Sequence, residues 1–225
     1  MKLTQDAYQV MKNLSTINLS LYVFPGNKLK TVSENKTVIA EVELQDSFSK
    51  EFGIYDLNQF LGVVSLFDNP DLEFDTTHLV INGDNGAKSN YFYADRNTFR
   101  IVPTLDKFSL PDEYIKFSLS DKIIKGVMQA ASVLQLPEIA IVGDGENISI
   151  KAIHSGNKTT NTFSYNVGET SKTFTVLFKT ENLKMMMGSY EVTLSKQKIA
   201  QFKSTSRDLN LVYTIVSQAT SSYED

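Results

Sequence analysis

Few of the 225 side chains are of the kinds that do covalent or metal chemistry, and those few are badly spaced for it. There is no cysteine, which removes disulfides, thiolate metal ligands and thiol nucleophiles together. The two histidines, His78 and His154, fall in or beside β-like alternations with no carboxylate at a useful spacing, so structural roles are expected for both. Residues 83–89, G-D-N-G-A-K-S, resemble a phosphate loop only faintly. They lack a glycine before Lys88 and stand between strands rather than before a helix, which makes a hairpin turn the better reading. Gly143, Asp144 and Gly145, followed by Glu146, likewise give a D-G hairpin signal rather than a cation loop. Met185, Met186 and Met187 have the spacing of packing residues, not of a soft-metal site. The expectation is a chain with no catalytic residues, no metal and no cofactor.

Composition leaves room for a proper core, with 41% hydrophobic residues. The longest apolar runs are only a few residues, far from the roughly 20 that span a bilayer, so no membrane partner is expected. The first ten residues, MKLTQDAYQV, have no apolar run of the signal-peptide kind. A reduced, intracellular, soluble protein is the expectation. The net charge of −4 and the pI of about 5.3 argue against nucleic acid, unless the charges are segregated.

Four segments have helical periodicity. In residues 3–15, Leu3, Ala7, Val10, Met11 and Leu14 make one apolar face, with Thr4 near the N-cap. In residues 56–67, Asp56 caps a stripe of Leu57, Phe60, Leu61 and Val64. Residues 120–136 put Ile123, Ile124, Val127, Ala131 and Leu134 inward, from Ser120 to a stop at Pro137. Residues 180–187, stopped by Gly188, turn Leu183, Met186 and Met187 to one side. Everything between reads as strands bounded by turn residues, for example 17–24, 37–44, 79–82, 139–142, 147–153, 173–178, 190–194, 199–203 and 209–216.

The order of elements runs twice. A shift of about 120 residues lays Leu3, Ala7, Met11 and Leu14 on Ile123, Val127, Ala131 and Leu134, and Lys2 on Lys122. Between the copies, the stretch holding Pro103 and Pro111 has no periodicity and reads as a linker. An α+β protein follows, of two tandem pseudo-repeated domains, 1–102 and 116–225, joined by a linker over 103–115. Each domain is expected to pack two helices on antiparallel sheets.

The charges are segregated. Opposite its apolar stripe the third helix carries Lys122, Lys125, Gln129 and Ser132. In the same register the first shows Lys2, Gln5, Gln9 and Lys12, the second Asn58, Gly62 and Ser65, and the fourth Lys179, Asn182 and Lys184. Carboxylates gather instead in strands and turns, as at Glu41, Glu43, Asp71, Glu73 and Asp75. Only Arg96, Arg100 and Arg207 are arginine. Guanine readout favours arginine, whereas a lysine meets phosphate as a point charge, so a weak, sequence-blind contact with a nucleic-acid backbone is indicated. A virion structural protein of duplicated β-rich fold, its lysines merely solvated, is the alternative.

Several stretches resemble the sliding clamps, the processivity factors of replicative DNA polymerases, of T-even-type bacteriophages. These are M-K-L-T-Q-D at 1–6, K-N-L-S-T-I-N at 12–18, I-Y-D-L-N-Q-F-L-G-V-V-S-L at 54–66, N-L-K-M-M-M-G-S-Y-E-V-T-L at 182–194 and I-A-Q-F-K at 199–203. The resemblance covers essentially the whole chain. It implies a homotrimeric ring in the cytoplasm of a bacterial host, with duplex DNA in the hole. It also implies tethering of the polymerase and engagement of a clamp loader through short peptides. Lys2, Lys12, Lys122, Lys125 and Lys184 fall on the faces that look into the hole of such clamps. A partner-peptide pocket is implied at Val38, Ile39, Leu105, Phe108, Leu110, Thr214 and Val216.

Overall fold

The structure is a computed structural model that describes residues 1–84, 86–157, 159–206 and 209–224. Asn85 of the 83–89 stretch and Arg207 lie outside the described residues. The chain divides into two compact units, Met1–Lys107 with Leu209–Leu211, and Phe108–Asp208 with Val212–Asp225.

Unit 1 opens with helix α1 (Gln5–Ile17), which starts where its first free N–H groups find an acceptor. Thr4 is the N-cap, its Oγ1 accepting from Ala7 N at 3.2 Å. The cap is itself held, since Thr4 N and Oγ1 donate to Asp46 at 3.0 and 2.5 Å. Asp46 lies on β3 (Val38–Phe48), where Val38, Ala40, Val42, Leu44, Asp46 and Phe48 alternate onto one buried face. A carboxylate in that row survives burial because the cap satisfies it. Helix α1 buries Ala7, Val10, Met11 and Leu14, and packs against α2 (Leu57–Val64), which buries Leu57, Phe60, Leu61 and Val64. Asp56 caps α2 by accepting from Gln59 N at 2.9 Å. Strand β2 (Gly26–Val32) pairs with β3, and β1 (Leu21–Val23) with β4 (Phe52–Ile54). Strands β5 (Asp71–Phe74), β6 (His78–Asn82) and β7 (Lys88–Phe92) form an antiparallel meander. Of the 83–89 stretch, Gly83, Asp84, Gly86 and Ala87 fall between β6 and β7, and Lys88 and Ser89 begin β7.

In unit 2, β8 (Glu113–Leu119) begins inside the residues expected as linker, and helix α3 (Asp121–Val133) follows it. Ser120 has the extended N-cap conformation but makes no capping bond. The helix ends as its sequence asks: Gln135 takes a positive φ of 53° and Leu136 N reaches back to Ala131 O at 2.8 Å, ahead of Pro137. Its apolar stripe, Ile124, Val127 and Ala131, rests on β9 (Glu138–Asp144), β10 (Asn147–Ile153) and β11 (Phe163–Glu169). Gly126 lets β11 come close. A Cβ there would stand 2.5 Å from the Tyr165 hydroxyl and 3.0 Å from its Cε2. Strand β12 (Thr173–Lys179) and β16 (Ser222–Tyr223) complete this sheet, in the order β11-β10-β9-β12-β16. The β9–β10 turn is the expected hairpin, with Gly145 at a φ of 90° and Asp144 accepting from Asn147 N at 2.7 Å. Strands β13 (Tyr190–Ser195), β14 (Ile199–Ser204) and β15 (Val212–Val216) pair antiparallel in sequence, with β8 against β13.

The expected fourth helix is corrected. Only Thr180–Asn182 form a single 3-10 turn, and the chain then runs without a helix to β13. Side chains take the hydrogen bonds a helix would have used. Met186 N donates to the Tyr213 hydroxyl at 3.2 Å, and the Tyr190 hydroxyl donates to Met186 O at 2.5 Å. The described residues therefore contain three α-helices, two in unit 1 and one in unit 2.

Candidate nucleic-acid interface

Helix α3 carries the most positive of the three helix faces. Lys122, Lys125, Gln129 and Ser132 are all exposed, opposite the buried stripe. At 1.5 Å per residue the row is about 15 Å long. Its only acidic neighbour on the helix, Asp121, is in the first turn, where the helix dipole favours it.

The other helix faces are weaker versions of this one. On α1, Gln5 and Lys12 are exposed with Gln9 half-buried between them. On α2, Asn58, Gly62 and Ser65 are exposed and uncharged, and a Cβ on Gly62 would meet nothing within 4 Å. Two of the five expected lysines are not on helices. Lys2 precedes α1, in an isolated β-bridge with Asp71. The Asp71 carboxyl is held below its ordinary value of 3.8, first by the hydrogen bond and charge of the N-terminal ammonium and, more weakly, by Lys2. Lys2 therefore shares its field with a carboxylate, which a lysine aimed at phosphate does not. Lys184 is exposed, in the irregular stretch that replaces the fourth helix.

The residues expected to receive partner peptides divide between the units. In unit 1, Val38 is buried in the β3 row, and Ile39 and Leu105 are half-buried. In unit 2, Phe108 and Leu110 are half-buried, Thr214 is buried and Val216 is exposed. Polar side chains of the β13–β15 ladder hold the backbone of this segment in place. Gln201 Nε2 donates to Phe108 O at 3.3 Å, and Ser195 Oγ donates to Pro111 O at 2.6 Å. Asp112 accepts from Gln197 Nε2 at 2.6 Å. Holding the segment by its backbone leaves the Phe108 and Leu110 side chains as the variable part of that surface.

One expectation about chemistry also changes. His78 does meet a carboxylate, with Nε2 3.9 Å from Asp75 Oδ2 and Nδ1 3.2 Å from Thr77 Oγ1. The pattern has the residue types of a nucleophile, base and orienting acid, but it sits at the exposed β5–β6 turn. The ion-pair distance is long, Asp75 Oδ1 is already taken by Thr76 N and Oγ1, and none of the described cavities includes these residues. Among the described residues no three His, Asp or Glu side chains group as metal ligands, and no helix is long and apolar enough to cross a membrane.

Comparison with known proteins gives a consistent answer. The model of the DNA polymerase processivity factor family matches residues 5–97. The sliding clamp of Vibrio phage KVP40 is 30% identical over 226 residues, spanning 97% of this chain and all of the relative. That of Enterobacteria phage T4 is 26% identical, over 90% and 92% of the two chains. Among solved structures, PCNA from Thermococcus kodakaraensis matches with a TM-score of 0.70 at 15% identity, covering 95% of this chain and 96% of that one. A. fulgidus PCNA, bound to the C-terminal region of FEN-1, matches with 0.71 at 13% identity, over 96% of both chains. These structural likenesses establish the clamp fold.

Proposed function

Since this chain belongs to the sliding clamps, the processivity factors of DNA polymerases, we propose that three copies close into a ring around duplex DNA and tether the replicative polymerase to it. The carrying observation is the carboxylate-free row Lys122, Lys125, Gln129 and Ser132 on α3, in a chain whose net charge is −4. Duplex DNA presents one charge per roughly 1.7 Å of axis, so a short lysine row finds a phosphate at any position along it. Retention by a closed ring asks little of each contact, and a few lysines with no base-reading arginine suit movement better than tight binding. Lys12 and Lys184 extend the contact, with Lys2 the weakest contributor.

Ring closure draws support from two edge strands. Strand β7 ends one sheet and β11 another, and each shows an unpartnered edge among the described residues. Edges of this kind invite a second copy of the chain, in a head-to-tail arrangement that closes. Leu105, Phe108, Leu110, Thr214 and Val216, with Val38 and Ile39, are proposed to receive short peptides of the polymerase and the clamp loader. Tethering raises the polymerase's effective concentration at the primer, and the clamp itself catalyses nothing. The two clamp domains are proposed as 1–102 and 116–225 about the connector 103–115, acting inside the infected bacterial cell. Family membership leaves the virion-subunit reading without support.

The test is the double charge reversal Lys122→Glu, Lys125→Glu. Primer extension on a circular template, with the matching polymerase and loader, is expected to give products shortened by about tenfold or more at physiological salt. Unchanged product length, with native circular dichroism, would overturn the proposal.

A further inference from the structure

Strands β2 and β3 of unit 1 carry two lysine–glutamate pairs side by side, in different surroundings. Lys28 lies opposite Glu43 in the ladder, and Lys30 opposite Glu41. Lys28 Nζ stands 3.1 Å from Glu43 Oε1, with the two side chains 51% and 40% exposed. Lys30 Nζ stands 2.5 Å from Glu41 Oε1, with side chains only 10% and 19% exposed. The same ammonium also donates to the Asp106 carbonyl at 2.8 Å. An exposed pair contributes little, whereas a nearly buried ammonium keeps its charge only where acceptors meet it.

Asp106 belongs to the connector, at the end of unit 1. Residues 100–107 form no helix or strand, and among the described residues they make no backbone–backbone hydrogen bond. Among the described residues the Lys30 bond is the one that reaches their main chain. Leu105, next to the held carbonyl, is half-buried, while Thr104, Asp106 and Lys107 are exposed. A segment with so few bonds of its own takes its shape from what grips it.

We propose that Lys30 and Glu41 are positioning residues for partner docking, which latch the Asp106 carbonyl so that Leu105 is already presented when a partner peptide arrives. Glu41 holds the ammonium across the ladder, and the ammonium holds the connector. This role rests on the proposed part of Leu105 in receiving peptides. A peptide that meets an unlatched connector must order it on binding, and its affinity falls with the fraction of time Leu105 is in place. Neither Lys30 nor Glu41 needs to touch the peptide. Lys28 and Glu43 carry the same charges two positions along, and among the described residues they make no hydrogen bond or ion pair to residues 100–107. Charge and latching are therefore separable.

The full-length chain has no cysteine, so Thr104→Cys takes a single nitroxide beside the latch. Lys30→Met removes the donor but keeps an apolar stem. The label is expected to tumble about twofold faster or more in Lys30→Met and in Glu41→Gln, and at the original rate in Lys28→Met. In primer extension at saturating loader, the polymerase concentration giving half-maximal product is expected to rise about fivefold or more in Lys30→Met and Glu41→Gln, and to stay unchanged in Lys28→Met. Lys30→Arg, which restores charge and donors, is expected to recover most of both effects. An unchanged label in Lys30→Met and Glu41→Gln overturns the proposal, as does a freed label with an unchanged polymerase requirement. Leu105→Ala with the latch intact then tells which reading has failed. If it raises the polymerase requirement, only the latch is lost; if it does not, the peptide-receiving role of Leu105 falls as well. Native circular dichroism of each variant excludes misfolding as the cause of a loss.

Discussion

Two exposed or half-exposed helix glycines respond oppositely to the same substitution, and the difference is calculable. Gly62 on α2 has open space where a Cβ would be, so Gly62→Ala adds only helix propensity and stabilises by about 0.5–1 kcal/mol. Gly126 on α3 gains the same term, but its Cβ would stand 2.5 Å from the Tyr165 hydroxyl, 3.0 Å from Cε2 and 3.1 Å from Cζ. The ring must retreat by most of an ångström. Its retreat is opposed by the Ile150–Tyr165 register and by the Phe163 ring, edge-on at a centroid distance of 5.1 Å. Overpacking of this kind costs about 1–3 kcal/mol, leaving a net destabilisation of about 0.5–2 kcal/mol. For a chain of this size Tm is expected to rise by roughly 1–4 °C in Gly62→Ala and to fall by roughly 1–8 °C in Gly126→Ala. The assay is urea and thermal unfolding at a fixed protomer concentration, because assembly makes apparent stability concentration-dependent. Adding Tyr165→Phe to Gly126→Ala removes the nearest atom and is expected to restore about half of the loss or more. Equal stabilisation by both alanines, or no recovery in the double variant, would refute the reasoning.

Asp46→Ala leaves the Thr4 donors that anchor α1 without their buried acceptor, and is expected to cost about 2 kcal/mol and lower Tm by roughly 4–8 °C, with Asp46→Asn intermediate. Glu138 gives a pH dependence. Burial raises its carboxyl, but the bonds from Ser155 and Gln218 together outweigh burial and hold it below its ordinary 4.5. A depressed carboxyl stabilises above its unfolded-state value and loses that contribution as pH falls through the folded-state value. The wild type is therefore expected to exceed Glu138→Gln in stability at pH 7 by about 1 kcal/mol, and the gap to shrink as pH falls below the ordinary 4.5 and through the lower folded-state value. A gap that widens with acidification would reverse the assignment.

Elements whose signal is local were legible before the fold was known. The 3-4 spacing of Ala7, Val10, Met11 and Leu14, the caps Thr4 and Asp56, and the Gly145 hairpin all appear where patterning puts them. So does the lysine row of α3, since helical spacing alone decides which side chains share a face. What failed depends on distant partners. Leu183, Met186 and Met187 have helical spacing, but Tyr190 and Tyr213 capture the Met186 backbone, and no window of sequence contains that competition. Lys2 aligned with Lys122 by register, yet α1 begins at Gln5 because Asp46, 42 positions away, holds Thr4 as the cap. Strand β11 alternates Phe163, Tyr165 and Val167 too briefly to stand out from a loop, and the Lys30 grip on Asp106 joins residues 76 positions apart.

The tyrosine clasp on Met186 bears on how this protein can drift. A helix stores its shape in its own residues, so each substitution along it is tested against propensity. The irregular stretch after Asn182 holds its shape through two phenols, at the first residue of β13 and the second of β15. Met187, half in solvent, can be exchanged for whatever the contact it faces demands, while Tyr190 and Tyr213 bear the constraint. Inheritance of form and adaptation of surface are thus assigned to different residues of the same small region.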